Sequence, residues 1–310
     1  MDRQEFYANG KLMISGEYLV LSGAMALAVP VKYGQSLVCI SKKADDFYLT
    51  WKTLEKGKEK FYFEFSDTEL FPVKSTNKEA GEFIRKILLA AKTLNPGFLN
   101  DKNNYEIITE INFDMNWGLG SSSSLISNIG WWSGTDPYRL LHEINGGSGY
   151  DIACARSKQP ILYRFKGEKN IPEIAQADFF PSFSSGLWFV YSGKKQSSAE
   201  SIRDFSPENV PKKWVEEISG LSREMAKTSS LGDFCKMMEQ HEAITGKALG
   251  RQPIGEKLFR DFPGSVKSLG AWGGDFFMAA AGTKPKELKN YFNQKGYYTI
   301  IPFEEMVLKS

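Results

Sequence analysis

Four stretches of the chain set glycines beside a residue able to move a proton or meet a negative charge. The richest is Asn116-Trp117-Gly118-Leu119-Gly120-Ser121-Ser122-Ser123-Ser124, which runs straight into the apolar Leu125-Ile126. Glycines let the backbone approach a ligand closely, and hydroxyls then open a helix whose N–H groups and dipole favour an anion. This is the chemistry of a phosphate cradle. It is neither a dinucleotide fingerprint, since Ser123 stands where the third glycine of G-x-G-x-x-G belongs, nor a Walker A loop, which occurs nowhere in the chain. A second stretch, Asn145-Gly146-Gly147-Ser148-Gly149-Tyr150-Asp151, delivers one carboxylate among small residues, where it could take a proton from a substrate hydroxyl. In a third, Gly10-Lys11 and Gly16-Glu17-Tyr18 flank the apolar Leu12-Met13-Ile14, and a lysine so held could neutralise charge developing on a transferred phosphoryl group. The fourth, Gly270-Ala271-Trp272-Gly273-Gly274-Asp275, is a late glycine loop. Taken singly, each also reads as a capped helix, a turn or a surface ion pair.

The elements that must position these residues can be placed by pattern. Strands are expected at 37–41, 47–51, 60–65, 105–111 and 161–165, and an amphipathic helix at 79–94, where Ile84, Ile87, Leu88 and Ala91 repeat at helical spacing before Asn95-Pro96-Gly97. A polar stretch at 166–186 suggests a domain boundary. Beyond it lie a strand at 187–191, helices at 207–227 and 232–249, a strand at 276–281, a helix at 284–294 and a strand near 297–301. The second half thus alternates strands and helices as a small α+β layer.

Composition narrows the field. Of 310 residues, 39 are Lys or Arg and 37 are Asp or Glu, a net charge of +2 that falls far short of the basic stripe duplex binding needs, so no nucleic-acid partner is expected. No apolar run approaches the ~20 residues of a membrane span, and the charged start Met1-Asp2-Arg3 has no following apolar region, so a cytoplasmic location without membrane attachment is expected. Cys39, Cys154 and Cys235 are too far apart for a metal knuckle, and two histidines, His142 and His241, cannot make a His-rich centre. Paired aromatics at Trp131-Trp132 and Phe276-Phe277 are expected to be packing.

The four glycine stretches, in this order, resemble the motifs of the GHMP kinases, the superfamily of galactokinase, homoserine kinase and mevalonate kinase. Gly10-Lys11 with Gly16-Glu17-Tyr18 is similar to its first motif, Gly118–Ser122 to its GLGSS loop, Ser148–Asp151 to the segment bearing its catalytic aspartate, and Gly270–Gly274 to its last glycine loop. Gly273-Gly274-Asp275 and the Tyr191–Ser198 segment look most like phosphomevalonate kinases, with mevalonate kinases next. The resemblance implies an α+β, two-domain fold: a β-rich N-terminal α/β domain over 1–175 that binds ATP and a ferredoxin-like C-terminal domain over 176–310. It implies an ATP- and Mg²⁺-dependent kinase of a small mevalonate-pathway metabolite, monomeric or homodimeric. Gly118, Leu119, Gly120, Ser121, Ser122 and Ser123 would hold the ATP phosphates, Lys11 and Asp151 would carry catalysis, and Ser122 with Glu143, or its neighbour His142, would meet Mg²⁺. Glu17, Tyr18, Ser148, Gly149, Ser198, Gly273, Gly274 and Asp275 would shape the substrate side. Departures are Asp114 where a proline is usual, the short interval from Ser123 to Asp151, and Trp272, which would narrow the acceptor pocket. A diphosphomevalonate decarboxylase and a silent nucleotide or metabolite sensor derived from such a kinase are the alternatives.

Overall fold

The chain opens with two long strands, β1 (Asp2–Ser15) and β2 (Met25–Lys43). The computed structural model describes residues 1–144, 146–165, 172–194 and 205–309, and its contacts group them into two units interleaved in sequence. Unit one holds 1–10, 33–115 and 120–156; unit two holds 11–32, 116–119 and 157–310. The sheet of unit one continues with β3 (Tyr48–Glu55), β4 (Lys58–Phe65), β5 (Pro72–Ser75) and β6 (Asn103–Ile111), in the order β5-β4-β3-β6-β2, with β1 on β2. Strands β3 and β6 run parallel, with Trp51 opposite Ile107.

Alternation decides which face is covered. In β3, Leu49, Trp51 and Thr53 are buried and their neighbours half-exposed. Against that face lie α1 (Lys78–Leu94), α2 (Ser121–Ser133), α3 (Pro137–Ile144) and α4 (Tyr150–Arg156). Helix α1 starts one residue before the expected position because the Asn77 side chain accepts the Ala80 N–H at 2.9 Å, and it buries the predicted Ile84, Ile87, Leu88 and Ala91. Each large apolar side chain so buried contributes on the order of 1.5–3 kcal/mol. Trp132 packs edge-on against Phe98, whereas Trp131 departs from its expected packing: it lies 39% exposed beneath the Arg156 guanidinium.

In unit two, β2 pairs through Met25–Ala28 with β7 (Ile161–Arg164), and β7 pairs with β8 (Glu173–Gln176). A second sheet is built from β9 (Leu187–Tyr191), β10 (Ser265–Leu269), β11 (Phe276–Ala280) and β12 (Ile300–Pro302), all antiparallel, in the order β12-β9-β11-β10. Helices α5 (Lys212–Met225), α6 (Leu231–Leu249) and α7 (Ile254–Leu258) connect β9 to β10. Helix α8 (Pro285–Gln294) joins β11 to β12, and α9 (Phe303–Met306) follows. With strands numbered from β9 the order is 4-1-3-2, the split βαβ arrangement of ferredoxin-like layers. The C-terminal expectation therefore holds. Strand β10, absent from the expected elements, completes that layer, and Trp188, Val190, Phe277 and Phe292 form its core. No helix among the described residues is long and apolar enough to cross a membrane.

Candidate active site

In unit two, three of the chemistry-bearing stretches converge on one glycine. Lys11, on the apolar end of β1, donates its backbone N–H to the Leu119 carbonyl at 2.9 Å and its Nζ to the Gly118 carbonyl at 3.0 Å. On the other side of Gly118 lies Asp275. A Cβ at Gly118 would fall 2.3 Å from the Asp275 carboxyl carbon, and the position has φ +66°, so only glycine fits. Asp275 is itself held buried at φ +45° by its N–H to the Lys194 carbonyl (3.0 Å) and its carbonyl to the Ser192 N–H (2.8 Å). Trp117 packs on Tyr191 and Phe276, and the Tyr191 hydroxyl donates to the Asn116 carbonyl at 3.1 Å, which fixes the approach of 116–119. Gly118→Ala is expected to cost at least about 1–2 kcal/mol from the left-handed backbone alone. It should also displace Asp275; urea unfolding measures the first and loss of activity the second.

Glu17 and Tyr18 follow Gly16 at the end of β1. Both are buried in unit two, at 5% and 7% exposure. The Glu17 carboxylate accepts from the Lys267 ammonium at 2.6 Å and lies 3.1 Å from Nε2 of His241. Burial alone would raise this carboxyl, but Lys267, and after it His241, outweigh burial and hold it at about 2. Lys267 also donates to the Ser268 carbonyl at 2.7 Å, and Glu242 accepts the N–H groups of Ser268 and Ile254, each at 3.0 Å. Tyr18 sits at φ 63°, ψ −51°, in a three-residue turn closed by the Leu19 N–H on the Glu17 carbonyl at 2.7 Å. Its hydroxyl accepts the Trp272 N–H at 2.9 Å. Trp272 is also buried, with its ring edge directed at Gly246 of α6.

Lys267, His241 and Glu242 carry no signal in the sequence, yet the titration of Glu242 and His241 should show in stability. Burial pushes Glu242 up from 4.5 to about 7, against Lys267 and the two N–H donors. A carboxyl raised by folding stabilises most where the unfolded chain already holds the proton, so its contribution is full below pH 4.5 and lost as pH rises through about 7. His241, lowered by burial, acts in the opposite sense: its contribution is whole above 6.5 and is lost as pH falls below it. The informative quantity is the difference between wild type and Glu242→Gln. It should shift toward wild type by about 3 kcal/mol as pH falls from 7 to 4.5, read from urea midpoints.

In unit one, Gly120 (φ 91°) opens α2 with no side-chain cap, so the positive end of the helix dipole is available to an anion. Ser123 turns its hydroxyl inward onto the Gly120 carbonyl at 2.9 Å, and Ser124 bonds Gln35 at 2.8 Å; both are buried. Ser121 is half-buried and Ser122 exposed. Within the predicted run Gly118–Ser123, Gly118 and Leu119 thus group with unit two, and Gly120, Ser121, Ser122 and Ser123 with unit one. Gly146, Gly147 and Gly149, all at positive φ, lead through half-buried Ser148 to Asp151 in the first turn of α4, which packs on α2. One Asp151 carboxylate oxygen accepts the Ile152 N–H at 3.0 Å. His142 and Glu143 are exposed on α3. Among the described residues no three His, Cys, Asp or Glu side chains form a metal-binding group. Gly273 and Gly274 lie in the loop before Asp275, where the Gly273 N–H reaches the Ser268 hydroxyl at 3.3 Å; Ser198 lies outside the described residues.

No protein-family profile and no curated protein sequence matches the chain significantly. Solved structures do. Methanococcus jannaschii mevalonate kinase aligns at 17% identity and TM-score 0.70, covering 100% of this chain and 99% of that one. Streptococcus pneumoniae phosphomevalonate kinase, solved with phosphomevalonate and AMPPNP, aligns at 16% and 0.66, covering 95% and 97%. Lactococcus lactis galactokinase, solved with galactose, aligns at 12% and 0.62, covering 99% and 95%. Along nearly its whole length, and in agreement with its four glycine motifs, the chain has the fold of the GHMP small-molecule kinases.

Proposed function

We propose that the protein transfers the γ-phosphoryl group of ATP to a small metabolite of the mevalonate-pathway type, a phosphate acceptor as in phosphomevalonate kinase or a hydroxyl acceptor as in mevalonate kinase. The observation that carries this reading is the ammonium of Lys11 on the Gly118 carbonyl: it ties a cation for developing phosphoryl charge to the glycine segment that resembles the ATP loop. In this reading the backbone of Gly118, Leu119, Gly120 and Ser121 and the first turn of α2 bind the ATP phosphates, with Ser123 bracing the turn. Asp151 accepts or orients the acceptor's proton. Ser148, Gly149, Gly273, Gly274 and Asp275 line the acceptor, together with Ser198, while Glu17 and Tyr18 act from beneath.

A protein-only cage is not required for Mg²⁺, which keeps water and nucleotide phosphate in its shell and takes one or two protein oxygens. The exposed Ser122 hydroxyl fits that donor set, and the exposed Glu143 is the second oxygen we assign to it. When bound, the ion neutralises charge on the transferring phosphate. The protein is proposed to act in the cytoplasm, as a monomer or homodimer.

ADP release with Mg-ATP against mevalonate, phosphomevalonate, homoserine, galactose and no acceptor tests the proposal. Turnover with one of the first two supports it. Carbon dioxide from a mevalonate diphosphate would instead show the decarboxylase, and nucleotide binding without turnover on any acceptor would favour a sensor.

A further inference from the structure

Nε2 of His241 faces two groups that it cannot satisfy together. The Gly16 N–H points at it from 2.8 Å, and Oε2 of Glu17 stands 3.1 Å away. An imidazole nitrogen has a single in-plane site: a lone pair accepts from Gly16, or a proton is given to Glu17. With Gly16 bonded, the ring proton resides on Nδ1. Both Nδ1 and Glu17 Oε2 are then buried without a hydrogen-bond partner, as they are here. Such atoms store an unmet demand that the alternative arrangement would relieve at Oε2.

What depends on the choice is the turn that begins at Gly16. A Cβ at Gly16 would fall 2.7 Å from Ala26, so this backbone has little room to shift elsewhere. It leads directly into Tyr18, whose positive φ is costly for a residue with a side chain and must be held by its surroundings. Tyr18 in turn accepts the Trp272 N–H, and the loop that Trp272 belongs to ends at Asp275, over Gly118 and beside the Lys11 bond.

We propose that His241 is a two-position positioning residue: neutral, its Nε2 holds the Gly16–Tyr18 turn and, through the Tyr18 hydroxyl, the glycine loop at Gly270–Gly274; protonated, it turns that nitrogen over to Glu17 and releases the turn. The groups facing His241 are consistent with the neutral form as the resting one. Glu17 comes from the turn after β1, Lys267 from β10 and Glu242 from α6 itself. Helix α5 contributes buried Ser219 and Ser222 and no buried charge, and β11 has no titratable residue. Burial, and then the Lys267 ammonium, lower the histidine below 6.5, so the exchange takes place on the acid side of that value.

Its consequence for catalysis rests on the phosphoryl-transfer reading; the coupling itself does not. The test is an NMR titration of the chain with ¹⁵N-labelled histidine, glycine and tryptophan, with His142→Gln used to assign the two imidazoles. At neutral pH the His241 Nε2 resonance should be that of a bare nitrogen and Nδ1 that of an N–H. On acidification Nε2 should gain the proton, and the Gly16 and Trp272 backbone amides should shift with the same midpoint. In His241→Gln, whose amide oxygen can still accept from Gly16, the Trp272 amide should keep its exchange protection and lose the titration. His241→Leu and Tyr18→Phe should each lower that protection about tenfold, the worth of one hydrogen bond. The proposal is overturned by a proton on Nε2 at neutral pH, by a Gly16 titration that Trp272 does not share, or by a titration that survives in His241→Gln. No nucleotide or acceptor enters these readouts, so this failure and a failure of the kinase reading are separate results.

Discussion

Lys267→Met is expected to destabilise the protein by about 3–5 kcal/mol, the usual consequence of leaving one partner of a buried ion pair without the other. Lys267 is fully buried, and its ammonium makes the shortest contact to Glu17, at 2.6 Å. Once it is gone, burial acts on the Glu17 carboxyl with only His241 nearby. In wild type that carboxyl is held at about 2 against 4.5 when unfolded, so its contribution is whole above pH 4.5 and lost as pH falls toward 2. In Lys267→Met burial dominates, the carboxyl rises above its unfolded value, and the sign inverts: stability should then fall as pH rises through the new pKa. Adding Glu17→Gln should restore most of the loss, because a buried pair removed whole leaves no uncompensated charge. Denaturant unfolding of the single and double variants across pH measures all three results. A single variant within about 1 kcal/mol of wild type, the range of an exposed pair, would show that the two charges are not isolated from water.

Asp151→Asn is expected to lower turnover by about a hundredfold to ten-thousandfold, the range attributable to a positioned general base. Shape and hydrogen-bonding at the first turn of α4 are retained, since an asparagine oxygen can still accept the Ile152 N–H that Asp151 now accepts. Only ionisation is removed. Nucleotide affinity should therefore stay near wild type, and kcat should fall far more than KM changes. Lys11→Met, which loses the bond to the Gly118 carbonyl, is likewise expected to lower kcat.

The glycine stretches were legible because their chemistry is local: a helix opened by Gly120, a carboxylate delivered by Gly149, a lysine beside an apolar strand. Helix α1 and the alternation of β9 and β11 with helices were likewise readable, each from a periodicity of a few residues. Strand β10 was not. Ser265-Val266-Lys267-Ser268-Leu269 has two hydroxyls and a cation among five residues, a composition that reads as surface, yet every one is buried. The compensation for Lys267 comes from Glu17, 250 positions away, which no local pattern can reveal. His241 and Glu242 were hidden for the same reason, as polar residues on a helix that bury only because a strand and a turn supply partners. A cut of the chain in sequence order also could not convey that 11–32 and 116–119 group with the C-terminal residues. That grouping is what sets Lys11, Gly118 and Asp275 together.

The most direct test of the central claim follows the γ-phosphoryl label of ATP into the acceptor identified by the ADP-release panel, in wild type and Asp151→Asn side by side. The account predicts labelled product from wild type, and product formed at least about a hundredfold more slowly by the variant at comparable nucleotide affinity. Label that enters no acceptor while nucleotide binds, or an Asp151→Asn protein as fast as wild type, would contradict it.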